Sequence, residues 1–219
     1  MIFKNTNITS FNAVLLSAGQ KEKPQGEWID YGKLPGSSLA LYQDTRTYLP
    51  YERTIQILSK TESELPAIYV WLDGSGQLKI DTGGYYNARV LTVETLTESI
   101  FLGWTRIIAV FEIQPFLYLA STDLTLTSGG TTVNPGIESD PYFKITGSGS
   151  VTLTVNGVNY VINPINQYVE IEFPYAWKGV LNKGNTILSG FPKLQPGNNV
   201  ISWTGTVTEV KMNGRWRKL

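Results

Sequence analysis

Apolar and polar residues alternate with a period of two over much of this chain, the pattern of strands with one face buried. Ile55 and Ile57 share a face of Arg53–Leu58, and Gln77–Asp81 and Ala88–Val93 repeat the pattern. Phe101–Ile113 is rich in aromatic and β-branched residues and runs through Gln114-Pro115 into Phe116–Leu119. It reads as one long strand or two collinear ones, broken or bulged near Pro115, because proline cannot donate to a ladder. Val151, Leu153 and Val155 alternate with Thr152 and Thr154. Asn156-Gly157 then supplies the two positive φ angles of a tight turn, and Val158–Ile162 returns as the second arm of a hairpin. Tyr168–Phe173 puts Val169, Ile171 and Phe173 on one face and Glu170 and Glu172 on the other. Pro196-Gly197-Asn198-Asn199 turns the chain into Val200–Trp203, and Thr206–Met212 ends at another turn, Asn213-Gly214.

One segment follows a helical period instead. Ser63 is placed to cap it, Pro66 falls in the first turn, and Leu65, Ile68, Tyr69 and Leu72 recur at helical spacing before Asp73-Gly74 stops the run. The pattern therefore predicts a mainly β protein with a short helix near 63–73. Ser121–Val133, rich in Thr and Gly, is a composition shift suited to a boundary. This divides the chain into residues 1–128 and a C-terminal sandwich over 129–219.

Composition supports many short strands: of 219 residues, 42% are hydrophobic and 16% charged, with 21 Gly and 11 Pro. There is no His and no Cys. That removes the usual zinc and copper ligands, thiol nucleophiles, imidazole-activated serines and any disulfide frame. Basic and acidic residues number 18 each, for zero formal charge, with −3 before residue 129 and +3 after it. No whole-chain field draws the protein to nucleic acid, although the asymmetry helps two parts of an assembly orient. Phe11–Leu16, interrupted by Asn12, is too short for the core of a secretory signal, and no run approaches the roughly 18 apolar residues of a membrane span. The expectation is a soluble chain made in the cytosol.

Candidate chemistry is sparse, and no cofactor or metal site is expected. Glu170 and Glu172 lie on one strand face, as a glycosidase would require of its acid and base, but a solvated face explains them equally and nothing adjacent would raise a pKa. Gly147-Ser148-Gly149-Ser150 would cradle a phosphate only if it opened a helix; an alternating strand follows, so it reads as a turn, and Thr127–Thr131 as a loop. Six Trp and twelve Tyr are many for this length, and such side chains serve interfaces as well as cores. Tyr48 and Tyr51 around Pro50, and Tyr85 and Tyr86 beside Gly83-Gly84, are candidate contact residues. So are Arg215, Trp216 and Arg217, a basic and aromatic terminus suited to docking within the chain or onto a neighbour, and less suited to nucleic acid.

In the second half, Asn134-Pro135-Gly136, Pro141–Ile145, Gly147-Ser148-Gly149, Val151–Gly157, Gly190-Phe191-Pro192 with Leu194, Pro196–Asn199 and Arg215-Trp216-Arg217 occur in order. Upstream stand Leu34-Pro35-Gly36, Tyr48–Ile57, Tyr85–Val90 and Phe111–Tyr118. The whole resembles the distal tail protein family of siphophages. That resemblance implies an N-terminal ring-forming domain and a C-terminal galectin-like sandwich. It further implies a non-enzymatic homohexameric ring at the virion tail tip, between the tail tube protein and the tail-associated tip protein. The ring's axial channel would pass DNA and the tape-measure protein, and receptor-binding or adaptor proteins would attach to its outside. About ninety residues follow the seam, enough for one sandwich and not for an added arm or sugar-binding module. Galectin sites use His, which is missing here, so binding of host wall polysaccharide is the alternative reading rather than the leading one.

Overall fold

In the computed structural model the described residues are 1–33, 40–80, 83–99, 103–120, 123–127, 129–173, 175–178, 186–187 and 190–219. Leu34-Pro35-Gly36, Asp81, Phe101, Leu102, Ser121, Thr122 and Ser128 lie outside them. The fold is mainly β, with one short α-helix among the described residues. The chain forms two compact units, residues 1–117 with 219, and residues 118–218. The division falls upstream of the Thr- and Gly-rich stretch proposed as the seam, because that stretch forms strands of the second unit instead of a linker.

The first unit contains β1 (Ile2–Phe3), β2 (Thr6–Asn7), β3 (Ala13–Ser17), β4 (Gly26–Lys33), β5 (Ala40–Tyr48), β6 (Tyr51–Ser59), α1 (Leu65–Trp71), β7 (Ser75–Lys79), β8 (Tyr85–Ser99) and β9 (Trp104–Tyr118). Its main sheet runs β2-β1-β7-β8-β9-β6-β3, and β4 and β5 pair separately as a two-stranded hairpin. The alternation read along β6 is real: Ile55, Ile57 and Ser59 are buried while Glu52 and Thr54 face solvent. On β9 the buried set is Thr105, Ile107, Ala109, Phe111 and Ile113, and it continues through Pro115 to Leu117 without a break. Proline is tolerated there because the β6 ladder ends at Tyr51 opposite Ile113, two residues earlier. Phe111 packs edge-on against Phe3 at 5.3 Å, and Trp71 of α1 donates its indole N–H to the Phe3 carbonyl at 2.9 Å. This contact fixes the helix to the first strand of the chain.

The helix begins differently from the expectation. Ser63 lies within a 3-10 turn over Glu62–Glu64, and no side chain caps α1, whose first turn holds Pro66. Proline there needs no amide partner, so the 3-10 entry replaces the cap. Ile68, Trp71 and Leu72 are buried, whereas Tyr69 and Val70 are exposed.

The second unit contains β10 (Leu124–Leu126), β11 (Gly130–Asn134), β12 (Tyr142–Val155), β13 (Val158–Glu172), β14 (Tyr175–Lys178), β15 (Thr186–Ile187), β16 (Gly197–Asn213) and β17 (Arg217–Lys218). Its sheet order is β10-β16-β12-β13-β14, with β11 also on β16 and β15 also on β13. The segments read from sequence as pairs of short strands are long single strands that bend. On β12 the Gly147–Ser150 segment is a bulge inside the strand rather than a turn, with register shifts against both neighbours. The two halves of each long strand thereby face one core, in which Phe143, Ile145, Val151, Leu153, Ile162, Val169, Ile171, Leu194, Val210 and Met212 are almost wholly buried. Asn156 and Gly157 adopt φ of 52° and 81°, the mirror-image turn the sequence predicts. Phe173 departs from its expected buried face: it lies just beyond β13, is 55% exposed, and meets Phe191 edge-on at 5.5 Å.

Candidate assembly surfaces

In the first unit the four candidate tyrosines separate into distinct environments. Tyr48 ends β5 half-buried, its ring T-shaped on Phe116 at 5.9 Å. Tyr51 opens β6 and is brought to Tyr86; burial first, then the neighbouring Tyr86 hydroxyl, pushes its phenol up to about 12. Tyr86 itself is only 4% exposed. The β7–β8 register sets it opposite Leu78, which is fully buried, so both side chains point inward. It is a core residue, which corrects its reading as a contact residue. Turn-adjacent aromatics escape burial only when no strand arrives to cover them, and β7 arrives here. Tyr85 lies half-buried on the other face.

At the other terminus, Arg215, Trp216 and Arg217 turn inward as well. Arg215 pairs with Glu172 at 2.5 Å and sits 5.8 Å from the Tyr142 ring. Trp216 packs on the core of the second unit. Arg217 pairs with Asp140 at 3.2 Å and donates from Nε to the Glu138 carbonyl at 2.8 Å. Of the two docking modes the sequence left open, these contacts are within the chain. The motif residues upstream serve the same purpose. Asn134 is 2% exposed and donates to the Ile137 and Leu194 carbonyls at 2.8 and 3.1 Å. A Cβ on Gly136 would lie 2.0 Å from the Arg217 carbonyl oxygen, so only glycine admits the terminal strand that closely.

Glu170 and Glu172 each face a cation. Lys144 lies directly across from Glu170 at 3.6 Å and also over the Tyr168 ring at 4.3 Å, while Glu172 is held by Arg215. Burial, followed by the charge of Glu170 and its hydrogen bond, pushes the Tyr142 phenol up to about 12. The carboxylates thus belong to a ladder of surface ion pairs rather than flanking a cleft. Among the described residues no three acidic side chains converge as a metal site would require, and no helix is long and apolar enough to cross a membrane.

The surfaces that sequence reasoning missed are apolar. In the first unit, exposed large side chains fall on β3 (Val14, Leu16), β4 (Trp28, Ile29), α1 (Tyr69, Val70) and β8 (Leu91, Leu96). In the second, the outward positions of β11, β16 and β12 (Thr131, Val133, Val200, Ser202, Thr204, Thr154) carry no charge. Lys144, Glu209 and Lys211 lie toward the other end of β12 and β16, with Glu170 opposite Lys144 on β13. Whole-chain composition averages these faces away, so only the register reveals them.

No family model and no curated protein sequence matches the chain. Solved structures do share its fold. The hub adsorption protein Dit (gp 19.1) of phage SPP1, which infects Gram-positive hosts, aligns with a TM-score of 0.71 at 12% identity, covering 100% of this chain and 98% of that one. A chain of the phage P2 baseplate in its activated conformation aligns at 0.50 with Ca and 0.51 with Sr, each at 10% identity and covering 94% of this chain and 92% of that one.

Proposed function

We propose that this chain, which has the fold of a phage hub protein along its entire length, is itself a non-enzymatic hub component of a bacteriophage tail tip. Six copies close a ring that joins the tail tube protein to the tail-associated tip protein. The axial opening passes DNA and the tape-measure protein, and receptor-binding or adaptor proteins attach outside. The carrying observation is that both units, in the same order and with almost no unmatched length on either side, align with the SPP1 hub protein. A shared single domain would be weak support, since folds host many functions. A shared pair of domains covering both chains narrows the choice.

Physical features support the same reading. The β4–β5 hairpin pairs apart from the main sheet, yet Trp28 and Ile29 are 59% and 44% exposed. A two-stranded hairpin is marginal alone, and such side chains are covered when a neighbour packs on them. Zero net charge suits a conduit that must release DNA. The reading is tested by incubating the purified chain with isolated tail tubes and imaging the mixture. Rings capping tube ends are the expected result; bare ends at saturating protein would refute it.

A further inference from the structure

The β4–β5 hairpin is irregular where its strands begin and end. Gly26 pairs with Tyr48 and Trp28 with Asp44, so two steps along β4 are matched by four along β5. A bulge of this kind disrupts the ladder and re-aims the side chains beside it. A cleft of about 620 Å³ lies at this point, lined by Trp28, Tyr48 and Pro24, with Lys23, Gln25 and Leu219 around them. All of these residues belong to the first unit. Tyr48 is held by the edge-on ring of Phe116. The Trp28 indole folds back along its own strand, so that a Cβ on Gly26 would lie 3.5 Å from its Nε1, yet the side chain is 59% exposed.

The lining decides what can occupy the cleft. Two aromatic rings and a proline offer apolar surface, and the exposed side chains of Lys23 and Gln25 offer an ammonium and an amide. Among the described residues that line it none is acidic; Glu27, between Gly26 and Trp28 in sequence, accepts from the Thr47 hydroxyl at 2.6 Å instead. The backbone there is already bonded. The Leu49 amide donates to the Gln25 carbonyl at 2.9 Å, and Gly26 lies in the ladder with Tyr48. A peptide that adds by strand pairing finds no ladder to join, so the occupant is held by side chains. Pyranose rings meet these terms. Their C–H faces stack on indole and phenol rings while hydroxyls around the edge reach the amide and ammonium, the division between apolar lining and a few polar groups that ligand sites show.

We propose that the cleft between Trp28 and Tyr48 binds a neutral or anionic polysaccharide, in the first unit and not in the second. The site goes beyond the hub reading, because it needs neither six copies nor a tail tube. It is also compatible with a ring. Trp28 and Ile29 are consecutive on β4 and face opposite sides of the hairpin, so a neighbour that covers Ile29 leaves the Trp28 side open to a glycan.

Calorimetric titration of the full chain tests the site. The probes are maltohexaose, N-acetylchitohexaose, a hyaluronan hexasaccharide and polysaccharide released from bacterial cell walls, and assembly mass is recorded alongside. Saturable binding of at least one probe is expected. Trp28→Ala should abolish it, and Gln25→Ala should weaken it by up to about tenfold, the worth of one hydrogen bond. Ile29→Ala, on the opposite side of the hairpin, should bind as the unaltered chain does. All three side chains are exposed, so the far-UV spectrum should not change. Silence with every probe, or undiminished binding by Trp28→Ala, overturns the site. Trp28-dependent binding of a proline-rich peptide in place of the saccharides overturns it too. So does a saccharide that breaks assemblies into monomers, because the cleft would then hold a second copy. Binding without rings contradicts the hub reading alone, and rings without binding contradict this site alone.

Discussion

Asn156 donates its side-chain amide to the Oδ1 of Asn199 at 2.8 Å, joining the turn between β12 and β13 to the start of β16. Asn199 is fully buried, and it also accepts from the Gln195 amide at 2.7 Å and donates to the Gln195 and Gly197 carbonyls at 2.8 and 2.9 Å. The Val200 amide in turn donates to the Asn156 Oδ1 at 2.9 Å. Two turns that sequence marks as separate punctuation are thus one polar cluster. Replacing Asn199 with Leu leaves several buried partners unsatisfied and should cost about 3 kcal/mol. Chemical denaturation should show the lower midpoint, and Asn156→Asp should cost less because its oxygen acceptor survives.

Gly136→Ala should destabilise the second unit by about 1–3 kcal/mol, the usual cost of forcing atoms into a packed site. The added methyl meets the Arg217 carbonyl, so the Ile137 amide would lose its 2.9 Å bond to that oxygen. Faster amide hydrogen exchange at Ile137, with Gly157→Ala as a contrasting turn variant that leaves it protected, would check the assignment.

Tyr51 and Tyr142 are both pushed up to about 12, chiefly by burial. Between their ordinary value near 10 and about 12 the unfolded chain has released these protons and the folded chain has not. Stability should therefore fall as pH rises through that window. Ultraviolet titration should show the two phenols ionising after the bulk of the twelve tyrosines, and Tyr51→Phe with Tyr142→Phe should flatten the alkaline loss.

Glu138 is held below the usual carboxylate range, first by its hydrogen bond from Lys193, then by that from Gln195, which lie at 2.7 and 2.8 Å. Its contribution is present above the unfolded value of 4.5 and is lost as pH falls through the lower folded value. Lys193→Met should lower stability near neutrality and make the acid limb of the stability profile shallower, a comparison that thermal melts across pH would provide.

Much of the architecture was legible because burial in a strand leaves a period of two. The faces of β6, the turn at Asn156-Gly157 and the helix holding Ile68 and Leu72 follow from local pattern. What was not legible depends on partners distant in sequence. Pro115 looks like a break until the β6 ladder is seen to end at Ile113. Gly147–Ser150 looks like a turn, because a bulge and a turn call for the same small residues. Tyr86 looks exposed until Leu78 is set opposite it. Arg215 and Arg217 look like a basic patch until Glu172 and Asp140 meet them.

The central claim is that this protein works by gripping copies of itself. Mass photometry of the purified chain across concentration tests it most directly. A species near six times the 24.4 kDa chain, growing with concentration at the expense of the monomer, is the expected result. A monomer at every concentration, with or without tail tubes to template assembly, would contradict it.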